Sequence, residues 1–459
     1  MLPKGAPLLA RTIWSLTLHR FFSIALAVAF TAVASAAESP TEAQNWAQWR
    51  GPNTDGSAPK ADPPTKWNAT TNIAWKADLP GKGSATPIVW GDRVFVLTAI
   101  KTDRIAKGDE LPKPDTRFDV KTAPPSNFYK FVVLCFDRTS GKKLWEKLAA
   151  EQVPHEGTHE THSYAAGSPT TDGKFLYVSF GSFGTYCYDL DGNLKWSRTD
   201  LGRIHSRLGW GEAVTPVVRG DSLLLNYDQE ADSKLICLET TTGKTKWEVK
   251  RDERTTWSTP LVADYAGKTQ VVMNGTARIR SYDLATGELV WQSAGMTVNP
   301  IPSPVRYGSS VICVSGYRGY AAVSIPLSTT GDLGDKGKVD WRYAAGTPYV
   351  PSPVLVGDAL YFTQANEPLL TVLNAKTGKV ILDKERLPQA KNFYASPITA
   401  SGRVYFVDRT GTTIVLKAGD SLDLLAVNKL DDPIDASPVA VGKQLILRSE
   451  KRLYCIEEK

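Results

Sequence analysis

The chain has 459 residues, 54 of them basic and 48 acidic, for a formal net charge of +6, and 42% are hydrophobic. That is ample apolar material for a large core, and no Lys/Arg block stands out, which argues against a nucleic-acid partner. Length alone suggests about three domains, an expectation that the repeats described below overrule.

At the N-terminus, Lys4, Arg11 and Arg20 precede an apolar stretch from Phe21 to Ala34, and Ala34-Ser35-Ala36 has a small-x-small form. Residues 1–36 therefore read as a secretory signal peptide cleaved after about Ala36. The apolar run is shorter than the ~20 residues needed to span a bilayer, and no Cys follows it to carry a lipid. Cleavage removes three basic residues and lowers the net charge from +6 to +3. The expectation is a soluble monomer in the periplasm or outside the cell, with no membrane anchor in the mature chain. Residues 37–72 form a leader segment that contains Trp46-Ala47-Gln48-Trp49-Arg50-Gly51-Pro52.

From residue 73 to 459 the chain repeats. Eight pairs, Thr86-Pro87, Ser168-Pro169, Thr215-Pro216, Thr259-Pro260, Ser303-Pro304, Ser352-Pro353, Ser396-Pro397 and Ser437-Pro438, each open a short apolar run. They recur every 41 to 49 residues, apart from one gap of 82 after the first. A Gly turn and a second apolar run usually follow, then a third run ending near an acidic residue, a Thr-Gly-type turn and a Trp. Self-similarity at this period predicts an all-β, eight-bladed β-propeller of four-stranded antiparallel blades. Proline suits the start of a first strand, which can spare its donor.

The spacing of acid, glycine and tryptophan is the sharpest part of the repeat: Asp137, Gly141, Trp145; Glu239, Gly243, Trp247; Asp283, Gly287, Trp291. The acid can bond its own turn, the glycine supplies a positive φ, and the Trp packs between blades. The eighth repeat stops at Lys459 without a fourth strand, whereas Ile73 to Leu79, with Trp75, precedes the first anchor. The N-terminal strand is thus expected to complete the last blade and remove an open edge.

Two repeats carry insertions. The first, Lys101 to Tyr129, falls between second and third strands and should lie over the face that bears the inter-blade connectors; the other, Pro326 to Lys338, should project from the opposite side. Cys135, Cys187, Cys237 and Cys455 share one third-strand position and Cys313 lies in a second strand, so buried reduced thiols are expected.

Two groups of residues are candidates for chemistry. His155-Glu156-Gly157-Thr158-His159 is a literal His-Glu-x-x-His, but it follows Pro154 and falls in a connector, which argues against the helix a zinc protease needs. A loop of His155, His159 and His162 holding a metal is the alternative use. The second group lies just before the anchors and converges on one mouth of the channel: His162, Tyr164, Trp210, Glu212, Arg254, Trp257, Asn299, Tyr349, Asn392, Tyr394 and Asp435. Aromatic and mixed-charge residues at a concave mouth suit a small ligand or peptide. No catalytic residue is assigned, because no nucleophile elbow, Cys-x-x-Cys pair or phosphate loop occurs.

The Ser-Pro, Gly, Val-Tyr, Asp-x-x-Thr-Gly-x-x-x-Trp pattern resembles the pyrroloquinoline-quinone-like (PQQ-like) propeller repeats found in quinoprotein dehydrogenases and in BamB-type assembly lipoproteins. The leader resembles one common among exported PQQ-like proteins. The resemblance implies the propeller and divides on function. A dehydrogenase would hold PQQ between a Trp and a disulfide of adjacent cysteines, with Ca²⁺ on Glu, Asn and Asp. Trp257, Glu212 and Asn299 are the residues available for that, and the chain has no adjacent Cys pair. The reading adopted is a non-enzymatic, BamB-like binding or scaffold protein that presents its connector face to a protein, peptide or glycan. A PQQ- and Ca-dependent alcohol or sugar dehydrogenase is the alternative.

Overall fold

A computed structural model describes residues 45–113, 115 and 117–458; the expected signal peptide lies outside them. Within these residues the strands form eight sheets of at least four strands each. Blade 1 is Ile88–Trp90, Arg93–Ile105, Asn127–Asp137 and Lys143–Gln152, with antiparallel pairing throughout. The other blades repeat this order. The last begins with Val439–Val441 and is completed by Ile73–Asp78, which pairs with Arg452–Ile456 and sets Trp75 opposite Cys455. The expected closure by the N-terminal strand is what the structure shows. Among the described residues no helix is long and apolar enough to cross a membrane.

Burial explains the sequence pattern strand by strand. Second strands such as Ser222–Tyr227 and Ser310–Ser315 are buried at every position, because neighbouring blades cover both faces. Fourth strands such as Thr245–Lys250 keep an alternating, half-exposed pattern at the rim. All five cysteines are buried and unpaired, four of them on third strands.

The acid, glycine and tryptophan of the repeat belong to one contact between blades. The indole Nε1 of Trp75 donates to the Arg138 carbonyl at 2.7 Å, and a Cβ on Gly141 would lie 2.5 Å from that ring. Trp196 repeats this with the Thr240 carbonyl and Gly243, Trp247 with Leu284 and Gly287, and Trp341 with Ala375 and Gly378. The glycine is therefore required twice over, for its positive φ and as the seat of the preceding blade's Trp. Trp291 departs from the rule. The next blade has an insertion where its seat would be, and Trp291 turns inward to Gln270 Oε1 at 3.0 Å. Within that insertion Gly331–Asp332 adds a parallel fifth strand to the preceding blade.

The Ser/Thr-Pro anchors do more than start strands. The backbone N–H of seven of the eight reaches the hydroxyl of the next around the channel: Thr86 to Ser168, Ser168 to Thr215, Thr259 to Ser303, Ser303 to Ser352, Ser352 to Ser396, Ser396 to Ser437, and Ser437 back to Thr86. Seven links of 2.9–3.1 Å make a hoop among the described residues, so buried donors at the channel wall are satisfied blade to blade.

The leader crosses the channel beneath this hoop. Trp46 exchanges two backbone hydrogen bonds with Val89 of blade 1 and is fully buried. Ser57–Ala58 then pairs in parallel with the first strand of blade 7. Between them Trp49 Nε1 reaches Ser437 Oγ at 3.4 Å, and the Arg50 guanidinium donates to the carbonyls of Pro353 at 2.7 Å and Pro397 at 3.3 Å. Burial lowers the Arg50 pKa to about 10.

Candidate functional site

Above the leader, on the connector side, the channel opens into a cavity of about 360 Å³. Connectors and second-to-third turns supply its walls, and the anchor hydroxyls circle its base. Trp49 lines both this cavity and a second one beside the leader, so the leader lies between the two. The cavity is a cup, closed below.

Its walls are aromatic. Tyr317 and Tyr349 stack at 4.6 Å, and Trp210 meets Tyr317 edge-on at 6.5 Å and His159 at 5.9 Å. Trp257 is held by a hydrogen bond from its Nε1 to the Gly211 carbonyl at 2.8 Å. Across the mouth, the Tyr394 hydroxyl accepts from Thr161 Oγ1, and Arg409 lies over the Tyr394 ring at 4.2 Å while pairing with Asp435 at 2.6 Å. Indole and phenol faces with a few oriented polar groups are what an organic ligand needs for grip and orientation.

Of the residues expected at this mouth, His162, Trp210, Trp257, Tyr349, Tyr394 and Asp435 line the cup. His162 is half-buried, its backbone neighbour Ser163 donates to Nδ1 at 2.8 Å, and desolvation lowers its pKa to about 4. Five others do not line it. Tyr164 and Glu212 turn into the seam between blades 2 and 3. Arg254 points to solvent. Asn299, at φ 55°, is buried beside Tyr349 with Nδ2 lacking a partner. Asn392 offers its backbone carbonyl to the Arg409 N–H, and its buried Oδ1 finds no partner. These residues precede their anchors by differing numbers of positions, and the chain turns between them.

Sequence reasoning missed Tyr317, Arg409 and Trp49. The first two sit in second-to-third turns, Gly316 to Gly319 and Asp408 to Gly411, which share the connector face, so the repeat register could have found them. No comparable signal marks Trp49.

The three histidines of the connector do not gather. His159 faces the cup, His162 lies beneath its rim, and His155 turns to the seam, where its Nε2 donates to the Ile204 carbonyl at 2.9 Å. There it meets Glu156 and His205. His205 Nδ1 is 3.0 Å from Glu156 Oε1, and its Nε2 is 3.4 Å from Asp115 in the first insertion. Glu156 Oε2 accepts from the N–H and hydroxyl of Ser206 at 3.1 and 3.0 Å. Nearby, Glu212 Oε2 accepts from the Ser182 N–H at 2.7 Å, and burial raises its carboxyl to about 8. The insertion lies over this seam, as expected for the connector face: Phe118 stacks on His205 at 5.1 Å and Lys121 donates to the Leu208 carbonyl.

Known proteins resemble this chain in fold to different extents. A family model described as outer membrane protein assembly factor BamB matches residues 130–336, from the third strand of blade 1 into blade 5. BamB from Moraxella catarrhalis is 15% identical with a TM-score of 0.51, over 79% of this chain and 98% of that one. Saccharomyces cerevisiae Sqt1 is 9% identical with a TM-score of 0.51, over 74% and 97%. A europium-containing methanol dehydrogenase is 13% identical over 82% and 89%, with a TM-score of 0.46. Identities this low carry the fold alone, and a TM-score of 0.46 does not carry that much. No curated protein sequence matches the chain.

Proposed function

We propose that this chain, a PQQ-like β-propeller by its repeats and its fold, is an exported, non-enzymatic binding protein whose aromatic cup captures the end of a peptide or glycan segment. One observation carries the reading: a channel walled by Trp210, Trp257, Tyr317, Tyr349 and Tyr394 at one end is closed at the other by Trp49 and Arg50. A closed cup accepts an end or a projecting side chain and does not pass a strand through. Aromatic anchors in a desolvated pocket are the residues that dominate binding. The relative whose model matches is an assembly factor for outer membrane proteins, which makes a protein segment the first occupant to test. Export rests on the signal-like residues 1–36.

The test is a titration of the mature protein with peptide and oligosaccharide libraries, read by tryptophan fluorescence and calorimetry. Trp210→Ala and Tyr349→Ala should each weaken a bound ligand by about 30-fold, the equivalent of ~2 kcal/mol at an anchor. Ligands that bind these variants as tightly as the parent would place binding elsewhere.

The residues available for PQQ and Ca²⁺ do not fit that group. Trp257 lines the cup, but the Glu212 carboxylate is engaged by Ser182 in the seam and Asn299 is buried beside Tyr349. The five cysteines stand apart on separate strands. Titration with PQQ and Ca²⁺ should therefore leave the cup's fluorescence unchanged, and quinone-dependent reduction of a dye with an alcohol or sugar would overturn the binding-protein reading.

A further inference from the structure

We propose that the seam between blades 2 and 3 is a binding site for a divalent first-row transition metal such as Zn²⁺, held by His155, Glu156 and His205. The site is separate from the cup and independent of what occupies it. Its residues come from two connectors, and one ligand atom from each lies within 4.8 Å of the other two. Two imidazoles and one carboxylate are a zinc-type donor set, whereas Ca²⁺ takes an all-oxygen shell.

The surroundings orient these side chains toward one another. A carbonyl only accepts, so the Nε2 of His155 that faces Ile204 carries the proton, and Nδ1 keeps the lone pair. His205 lies between two carboxylates, donating through Nδ1 to Glu156 Oε1 at 3.0 Å with Nε2 3.4 Å from Asp115, so a metal would displace the Nδ1 proton while Asp115 supports the far nitrogen. A carboxylate or carbonyl on the far nitrogen is the usual support of a metal-bound histidine. Ser206 orients the other oxygen of Glu156, and Phe118 lies against His205. Glu212 Oε1 lies 3.8 Å from Nε2 of His155, the nitrogen on the far side of the ring from Nδ1, and so stays outside the shell. Three carboxylates thus face two imidazoles, and Arg117, paired with Asp115, is at the exposed edge. Glu156 is buried among them, and a buried carboxylate calls for a compensating cation.

The experiment uses the full mature chain, stripped with chelator and titrated with Zn²⁺ by calorimetry, with bound metal counted by mass spectrometry. One Zn²⁺ per chain and a rise in melting temperature with Zn²⁺ are expected, with Ca²⁺ at equal concentration giving neither. His155→Ala and His205→Ala should weaken binding by about 100-fold, the upper end of losses from outer-shell changes alone. Glu156→Gln guards against a fold defect: it should weaken Zn²⁺ binding while the metal-free protein keeps its circular dichroism spectrum. His159→Ala and His162→Ala should bind as the parent does. Co²⁺ should give the visible absorption of a nitrogen–oxygen site, lost in His205→Ala. Failure to bind Zn²⁺ stoichiometrically, equal response to Ca²⁺, or equal loss in His159→Ala would each overturn the proposal.

Discussion

The two ends of the channel are made from the same eight repeats and differ in almost everything else. One end is sealed by a leader that belongs to no blade, through Trp49, Arg50 and a two-residue strand on blade 7. The other is an aromatic cup assembled from connectors and turns whose lengths vary between blades. The repeat supplies a near-symmetric tube, and the segments that break the repeat supply its polarity.

Perturbing what both ends share should have the largest effect. Trp75→Ala removes a buried indole from its seat on Gly141 in the ring-closing strand. We expect a loss of about 3–5 kcal/mol in denaturant unfolding; deleting residues 73–78 should abolish cooperative folding, since it opens an edge on the last blade. Unfolding of one blade alone would contradict a closed ring.

Perturbing only the sealed end comes next. Arg50→Ala strands the Pro353 and Pro397 carbonyls and should cost about 2 kcal/mol. Proteolysis should then cut within residues 46–58 while the blades stay intact. If the leader remains protected, Trp46 and the Ser57–Ala58 pairing suffice to hold it.

At the open end, His162 gives a pH signature. Its folded pKa of about 4 lies below its ordinary value of 6.5, because burial disfavours the charged ring. The unfolded chain therefore takes up the proton first, and stability present above pH 6.5 should be lost as pH falls from there through about 4. His162→Gln should flatten that part of the curve, measured as unfolding free energy against pH. An unchanged slope would assign it to other groups.

The smallest effect is expected between the two ends. Ser352→Ala breaks one hoop link, leaving the Ser303 N–H without its acceptor. A loss of about 1 kcal/mol is expected, with faster hydrogen exchange at Ser303.

The blades were legible because their signals are local. Anchor, turn glycine and tryptophan recur within one repeat, and the missing fourth strand of the last repeat pointed to Trp75. What the sequence concealed depends on contacts across the ring. Arg50 meets a carbonyl 303 residues away, and Glu156 meets His205 49 residues on. The His-Glu-x-x-His spacing misdirected for the same reason. On a helix it fixes a common face, but in a connector each side chain follows its own turn, so His155 left His159 and His162 for a residue on the next connector. Six of the eleven mouth residues line the cup because their connectors enter it; Arg254, Asn299 and Asn392 lie on turns that carry them past it.

The hoop of anchor hydroxyls and the leader differ in what they allow in the history of the ring. Each Ser/Thr-Pro pair carries its own donor and its own acceptor, so a blade gained or lost by duplication brings or removes a whole link. The hoop is indifferent to blade number. The leader is not: pinned to blade 1 at Val89 and to blades 6 and 7 through Arg50, it spans a fixed diameter, like a caliper set to eight.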